Sequence, residues 1–224
     1  MIDLYTWFSP NGRKVSIMLE ECSLAYRPIT VDLAKGEQKS PRFTALNPNQ
    51  RVPAIIDHTA EGGPLRLAES GAILIYLAEK TGRLLAPSGR SRARTLQWLM
   101  FQMSHVGPTI GNAHYFSSSA EEKVPYAINR FMTESLHVLG VLSSALADRE
   151  YLADDYSIAD IATLPWVDAA WAPLHALFPD DARRLAPLAG ELVLTSLQHR
   201  GHEPHPYYPE TQRHLSSGFP AVES

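Results

Sequence analysis

Three short stretches carry residues that can bind or polarise a small anionic molecule. The first is Ser9-Pro10-Asn11-Gly12, directly after a β-prone run over 2–6. A serine followed by proline is a strong helix-start signal. The start of a helix offers free backbone N–H groups and the positive end of its dipole, which together stabilise an anion, a thiolate included. The Ser9 hydroxyl and the Asn11 amide sit in that turn, although the same pattern also serves as a plain helix cap. The second stretch is Asn47-Pro48-Asn49-Gln50-Arg51-Val52-Pro53-Ala54. A cis Val52–Pro53 bond would turn the Val52 backbone outward, free to pair with an extended ligand, whereas an ordinary trans proline would simply open a strand. The third is Glu69-Ser70-Gly71, at the start of another helix. Ser70 and its neighbouring N–H groups suit a carboxylate, and Glu69 suits an ammonium group, so the pair fits the α-carboxylate and α-amine of an amino acid. A cap followed by a dipole-friendly acid is the plainer reading.

These turns must be positioned by the elements between them. Ile2 to Thr6 reads as a strand. Val15, Met18, Leu19 and Cys22 fall on one helical face. Ile29, Val31 and Leu33 alternate as in a strand, and Ala54-Ile55-Ile56 and Leu65-Arg66-Leu67 are two further strands around a Glu61-Gly62-Gly63-Pro64 turn. Ile73, Tyr76, Leu77 and Lys80 mark a helix that Gly82 is placed to stop. Beyond it the strand signals end. Leu96, Leu99, Met100 and Met103 form one helical stripe, and Ile128, Met132, Leu139, Leu142 and Leu146 a second. Ser157-Ile158-Ala159-Asp160 is a capping box, with Ser157 expected to accept from the Asp160 amide and Tyr156 and Ile161 at the staple positions. The pattern predicts an α/β domain over 1–81, a linker over 82–92, an all-helical domain over 93–198 and a flexible tail over 199–224. Within 185–197 a helical pattern is interrupted by Pro187 and Gly190.

Composition narrows the functional classes. The chain has 224 residues, is 45% hydrophobic and carries a net charge of −4, which fits a packed protein and argues against a nucleic-acid binder. Neither a signal peptide nor an apolar run long enough to span a bilayer is evident, so a cytoplasmic location is expected. One cysteine excludes an internal disulfide and a Cys-x-x-Cys pair. Cys22 lies on the apolar helical stripe and reads as a buried structural residue rather than an attacking thiol. His199, His202, His205 and His214 lack ligand spacing, and no metal site is expected from them. Tyr5 reads as a core aromatic, as do most of His105, His114, Tyr115, Phe116, Trp98, Trp166 and Trp171 as packing residues; Arg90, Arg92 and Arg94 read as a solvated face.

The order of these signals, strand, Ser-Pro-Asn helix start, strand, Val-Pro strand, strand, Glu-Ser helix start, resembles the glutathione transferase superfamily over residues 1–167. Val52-Pro53, Glu69-Ser70 and Ser157-Ile158-Ala159-Asp160 carry the resemblance. The stretches Ser9-Pro10-Asn11-Gly12, Val31-Asp32-Leu33, Asn47-Pro48-Asn49, 74–82 and 125–131 look closest to its bacterial Nu class and yeast prion-type relatives. The resemblance implies a thioredoxin-like N-terminal domain and an all-α C-terminal domain, glutathione as co-substrate, no metal, and a homodimer. It implies that Glu69 and Ser70 hold the γ-glutamyl end of glutathione and that the Val52 backbone pairs with its cysteinyl unit beside cis-Pro53. Gln38 and Arg51 would lie near the glycyl carboxylate, Ser9 and Asn11 would face the sulfur, and Arg130 would add a contact, across a dimer interface in one arrangement. The implied activity is reduction of disulfides or peroxides by glutathione thiolate, with weak conjugation of electrophiles; a non-catalytic glutathione-binding or regulatory protein of the same fold is the alternative.

Overall fold

A computed structural model describes residues 1–177, with side chains through residue 170. The expectations for residues 178–224, including the interrupted helix over 185–197 and the histidine-rich tail, lie outside the described residues.

Four strands form one mixed sheet: β1 (Ile2–Thr6), β2 (Tyr26–Thr30), β3 (Ala54–Asp57) and β4 (Leu65–Ala68), in the order β2-β1-β3-β4. β1 and β2 run parallel and are joined by helix α1 (Pro10–Glu21), because a parallel pair needs a crossover. β3 pairs antiparallel with both β1 and β4. A short α2 (Pro41–Thr44) precedes β3, and α3 (Ser70–Thr81) follows β4 and ends on left-handed Gly82. The register puts three chain reversals at one end of the sheet. Tyr5 lies opposite Ala54, and Ala54 opposite Ala68, so the end of β1, the start of β3 and the end of β4 meet there.

β2 begins earlier than the alternation of Ile29, Val31 and Leu33 suggests. The five residues of β1 pair with Tyr26 to Thr30, and Asp32 then accepts from the N–H groups of Ala34 and Lys35 in a turn that ends the strand. Val31 instead joins Phe43, Val52 and Ala54 in a small cluster on one side of the sheet, with Tyr5 and Trp7 packed against it.

The helical half contains α4 (Gly89–Phe101), α5 (Gly107–His114), α6 (Pro125–Leu146) and α7 (Ile158–Leu177). α4 starts inside the expected linker, and that linker is docked: Leu85 is buried and the Leu84 carbonyl accepts from Ile158 N–H at 3.0 Å. The first long helix does not stop near Met103. It passes through a π turn over Gln102–Val106 into α5, and through a second over Tyr115–Ser119. Gly107-Pro108 reads as a breaker in sequence, but the extra residue of a π turn absorbs the donor that proline lacks. Met100 is exposed rather than buried, so the stripe facing the core is narrower than its apolar sequence.

The capping box at α7 forms with one change. Asp160 Oδ2 accepts from Ser157 N–H and from the Ser157 hydroxyl, both at 2.9 Å, while Ser157 Oγ accepts from Ala159 N–H rather than from Asp160. One continuous core joins the two halves. Val15, Met18 and Leu19 of α1 and Ile73, Leu74 and Leu77 of α3 pack with Leu99, Val106, Ile110 and Ile161 of the helical half. Each such buried side chain contributes about 1.5–3 kcal/mol relative to exposure, so the helical half holds the sheet's helices in place.

Candidate functional site

The N-terminus of α1 is built as the sequence suggests. Ser9 has extended backbone and its Oγ accepts from Gly12 N–H at 3.1 Å. A hydroxyl that accepts through a lone pair still has its proton to give, and among the described residues nothing takes it. Gly12 is fixed by space: a Cβ there would stand 2.4 Å from Thr6 Oγ1 and 2.7 Å from the Trp7 carbonyl. Any other residue would push the turn away from β1.

Asn11 is oriented by a residue from the helical half. Trp166 Nε1 donates to Asn11 Oδ1 at 3.0 Å. An indole nitrogen is only a donor, so the oxygen must face Trp166 and the amide N–H groups are left for another acceptor. Trp166 is in turn held against Gly107 and Gly111, where a Cβ would lie 3.5 and 3.4 Å from its ring. The expectation of a mere packing role for Trp166 is therefore incomplete. Its sequence signal was an aromatic on α7, with nothing to say what it faced.

The Val52–Pro53 peptide is cis. The loop before it is pinned by buried Asn47, whose Nδ2 donates to the Arg51 carbonyl at 2.7 Å and whose Oδ1 accepts from Asn49 N–H at 3.0 Å. Arg51 is exposed. At the third reversal Glu69 has φ 67°, a region that L-residues rarely occupy, and its side chain accepts from Asn49 Nδ2 at 3.3 Å. Such outliers persist where surrounding structure holds them and cluster at ligand clamps. Ser70 follows, buried, as the first residue of α3.

Ser9, Asn11, Val52, Pro53, Glu69 and Ser70 thus stand on turns that share one end of the sheet. Gln38 lies in the 3-10 turn Glu37–Lys39 that follows β2, and its Oε1 is buried with no hydrogen-bond partner among the described residues. A buried acceptor without a donor calls for one from outside. Arg130 is not brought to this group within the chain; it lies exposed on α6.

Sequence reasoning missed what lies behind the turns. Lys14 of α1 is 1% exposed, and its Nζ donates to Gln102 Oε1 at 2.6 Å and contacts Met103 Sδ at 3.6 Å. Burial lowers its pKa to about 7. A lysine on an otherwise apolar helical face was the available signal. Arg13, one residue before, pairs with Asp168 of α7. Cys22, as expected, is buried, with its Sγ 3.5 Å from Thr81 Oγ1.

A βαβ unit continued by an antiparallel hairpin and a helix, a cis-proline beside two helix N-termini, and a packed helical half define a glutathione transferase fold. The chain belongs to the glutathione S-transferase family. The family description "Glutathione S-transferase, N-terminal domain" matches residues 1–79. The chain is 51% identical over 172 residues to the disulfide-bond oxidoreductase YfcG of Escherichia coli, covering 75% of this chain and 80% of that protein. Among solved structures it is similar to a glutathione transferase of Pseudomonas putida with one glutathione disulfide bound per subunit, at TM-score 0.78 and 43% identity over 89% of this chain and 92% of that one. It is also similar to a Lodderomyces elongisporus homologue with two glutathiones per subunit, at TM-score 0.79 and 38% identity over 88% and 96% of the two chains. No group of residues able to hold a metal ion occurs among the described residues, and none of their helices is long and apolar enough to cross a membrane.

Proposed function

We propose that this protein is a glutathione-dependent oxidoreductase that reduces disulfide bonds, and to a lesser degree peroxides, with weak conjugation of electrophiles. The observation that carries the reading is the pair of unspent donors at the α1 N-terminus: the Ser9 hydroxyl and the Asn11 amide, the latter aimed by Trp166. A free thiol has a pKa of about 8.5, and donors at a helix N-terminus favour its ionised form. The protein's single cysteine is buried away from this turn, so the reacting sulfur is that of glutathione. Its similarity to a disulfide-bond oxidoreductase, and to transferases holding glutathione disulfide or two glutathiones, supports the same assignment.

Glutathione lies across the three turns in this reading. Glu69 meets the γ-glutamyl ammonium and Ser70 the α-carboxylate. The Val52 backbone pairs with the cysteinyl unit beside Pro53. Arg51 is the cation for the glycyl carboxylate, while the unpaired Gln38 oxygen, an acceptor, suits the neighbouring peptide N–H. Arg130 reaches the ligand from a second copy of the chain in a homodimer. The thiolate attacks one sulfur of the substrate disulfide; that S–S bond breaks, a mixed disulfide with glutathione forms, and the other substrate sulfur leaves as thiolate. A second glutathione thiolate attacks the mixed disulfide at the glutathione sulfur, giving glutathione disulfide and the second substrate thiolate, and both product thiolates take protons from solvent. The need for a glutathione pool to supply these equivalents supports a cytoplasmic location in this reading.

The test is turnover of hydroxyethyl disulfide, a hydroperoxide and a chlorinated aromatic with glutathione, beside calorimetry with glutathione alone. Disulfide turnover is expected to lead. Binding without any turnover would overturn the enzymatic reading in favour of a glutathione-binding protein. Light scattering should give twice 24.8 kDa, and a monomer would remove Arg130 from the site.

A further inference from the structure

Lys14 is the one lysine with its side chain wholly inside the described structure, and it has no carboxylate beside it there. Burying an amino group without a counter-ion is costly, so a lysine kept at such a place points to a role beyond packing. Among the described residues the polar partners of its amino group lie on one feature, the first π turn. Gln102, fully buried at the start of that turn, accepts from Nζ, and Gln102 Nε2 is itself left without a partner among the described residues. Met103, the next residue, reaches both sides: its Sδ lies 3.6 Å from Lys14 Nζ and 3.9 Å from Ser70 Oγ. At Gly71 a Cβ would stand 3.1 Å from Met103 Cγ, so α3 and the methionine are closely packed there. Four residues on, Gly107 packs between Gln102 and Trp166, and Trp166 holds Asn11.

The π turn therefore touches, directly or through one residue, the helix start that carries Asn11 and the helix start that carries Ser70. We propose that Lys14 is a positioning residue of the glutathione site: its amino group clamps the π turn of 102–106 between α1 and α3 and so sets the distance between the sulfur end and the γ-glutamyl end of the bound peptide. The clamp works in either protonation state, because an amine and an ammonium both donate to Gln102. It also accounts for the π turn itself, since the added residue rotates Gln102 and Met103 onto α1 and α3 while Gly107 and Pro108 continue the helix.

This proposal rests on the reading of the site as a glutathione site, and the experiment separates the two. Calorimetry of the wild-type protein with glutathione comes first; absence of binding there refutes the site reading and this proposal with it. With binding established, Lys14→Met, Gln102→Leu and the double variant are compared for melting temperature, glutathione affinity, and kcat and KM in hydroxyethyl disulfide reduction. Lys14→Met keeps the length of the side chain and removes the clamp. Its melting temperature is expected to equal or exceed wild type. Loss of alignment between two binding elements is expected to lower kcat about tenfold or more, with glutathione affinity changed about threefold at most. Gln102→Leu should reproduce that split, and the double variant should lose no more than either single one. A kcat within about twofold of wild type in a folded Lys14→Met protein would overturn the proposal, as would losses that add in the double variant or that fall only in step with melting temperature.

Discussion

The two ends of the same small sheet are finished in opposite ways. At the end away from the site, every buried charge is answered. Asp57 is wholly buried, and its carboxylate accepts from Tyr76 Oη at 2.7 Å, Lys80 Nζ at 2.9 Å, and both the N–H and the hydroxyl of Thr59 at 2.8 Å. Beside it Asp3 takes a two-pronged bond from Arg27 and a contact from His58. At the other end polar groups are left over. Ser9 and Asn11 keep donors in hand, Gln38 and Gln102 each bury an unpaired atom, Lys14 has no counter-ion among the described residues, and Glu69 and Gln50 have positive φ. One end is built to be stable and the other to be completed by something else.

The largest effects should have opposite signs at the two ends. Asp57→Asn leaves one acceptor oxygen for the donors of Tyr76, Lys80 and Thr59, turns an N–H toward the others and removes the charge that answers Lys80; it is expected to cost about 3 kcal/mol by chemical denaturation, with disulfide turnover unchanged in the folded protein. Burial alone would raise the Asp57 pKa, but the hydrogen bonds from Tyr76, Lys80 and Thr59 outweigh it and hold the carboxyl well below its usual range. The unfolded state then binds the proton first, so stability is complete above about pH 4 and falls as the pH drops below it. Asp57→Asn should flatten that acid limb. At the site end, Lys14→Met should instead gain about 1–2 kcal/mol at neutral pH, the relief of a buried amine less the cost of leaving the Gln102 oxygen without a donor. The folded-state pKa of Lys14, near 7, lies below that of the unfolded chain, near 10.5, so wild-type stability climbs between those values as the unfolded state alone holds the proton. The advantage of the variant should therefore be greatest below pH 7 and shrink toward pH 10. A variant less stable than wild type at pH 7 would break the contrast.

Next comes Asn11→Ala, which removes the amide donor that the proposed function assigns to the glutathione sulfur. By the scale of donors that stabilise developing anions, kcat for disulfide reduction should fall about a hundredfold, with glutathione affinity little altered. Trp166→Phe should move in the same direction by less, since it frees the amide to rotate. Unchanged turnover in Asn11→Ala would leave the thiolate to Ser9 and the helix terminus.

How much of this contrast can be read from the chain differs between its two sides. The fold and the three turns are local signals. Ser9-Pro10, Val52-Pro53 and Glu69-Ser70 announce themselves within a few residues, and the periodicities of α1, α3 and α6 are unmistakable. What escaped is non-local. Nothing near Trp166 in sequence says that it will face Asn11, 155 positions away. Nothing near Lys14 says that a π turn will deliver Gln102 to it, because the stripe of Leu96, Leu99, Met100 and Met103 carries no sign of a helix continued with one residue extra. β2 was displaced for a related reason: its extent is set by the length of its partner β1 and by the Asp32 turn, not by its own alternation.

Glu69→Gly tests the strain at the site end directly. Positive φ at a residue with a Cβ costs on the order of 1–3 kcal/mol, and glycine returns part of that gain through the freedom of the unfolded chain. The variant should be more stable by about 1 kcal/mol or less. It should also bind glutathione more weakly, because the carboxylate is gone. A destabilised Glu69→Gly protein would mean that the Asn49 contact outweighs the strain.

The smallest effect should come from Arg13 and Asp168, which join α1 to α7 beside the site. Their side chains are 22% and 38% exposed, so water screens the pair and ordering two flexible side chains offsets much of the attraction. α7 does not need it for placement. Its start is fixed by Asp160, buried and bonded to Ser157 and to Leu152 N–H, and its inner face by Ile161 and Val167 in the shared core. Asp168→Asn should therefore cost about 0.2–1 kcal/mol at low salt and less at high salt. A loss of several kcal/mol, insensitive to salt, would mean that charge rather than apolar packing joins the helical half to α1. The contrast between the two ends of the sheet would then have to be redrawn to include the seam that supports the site.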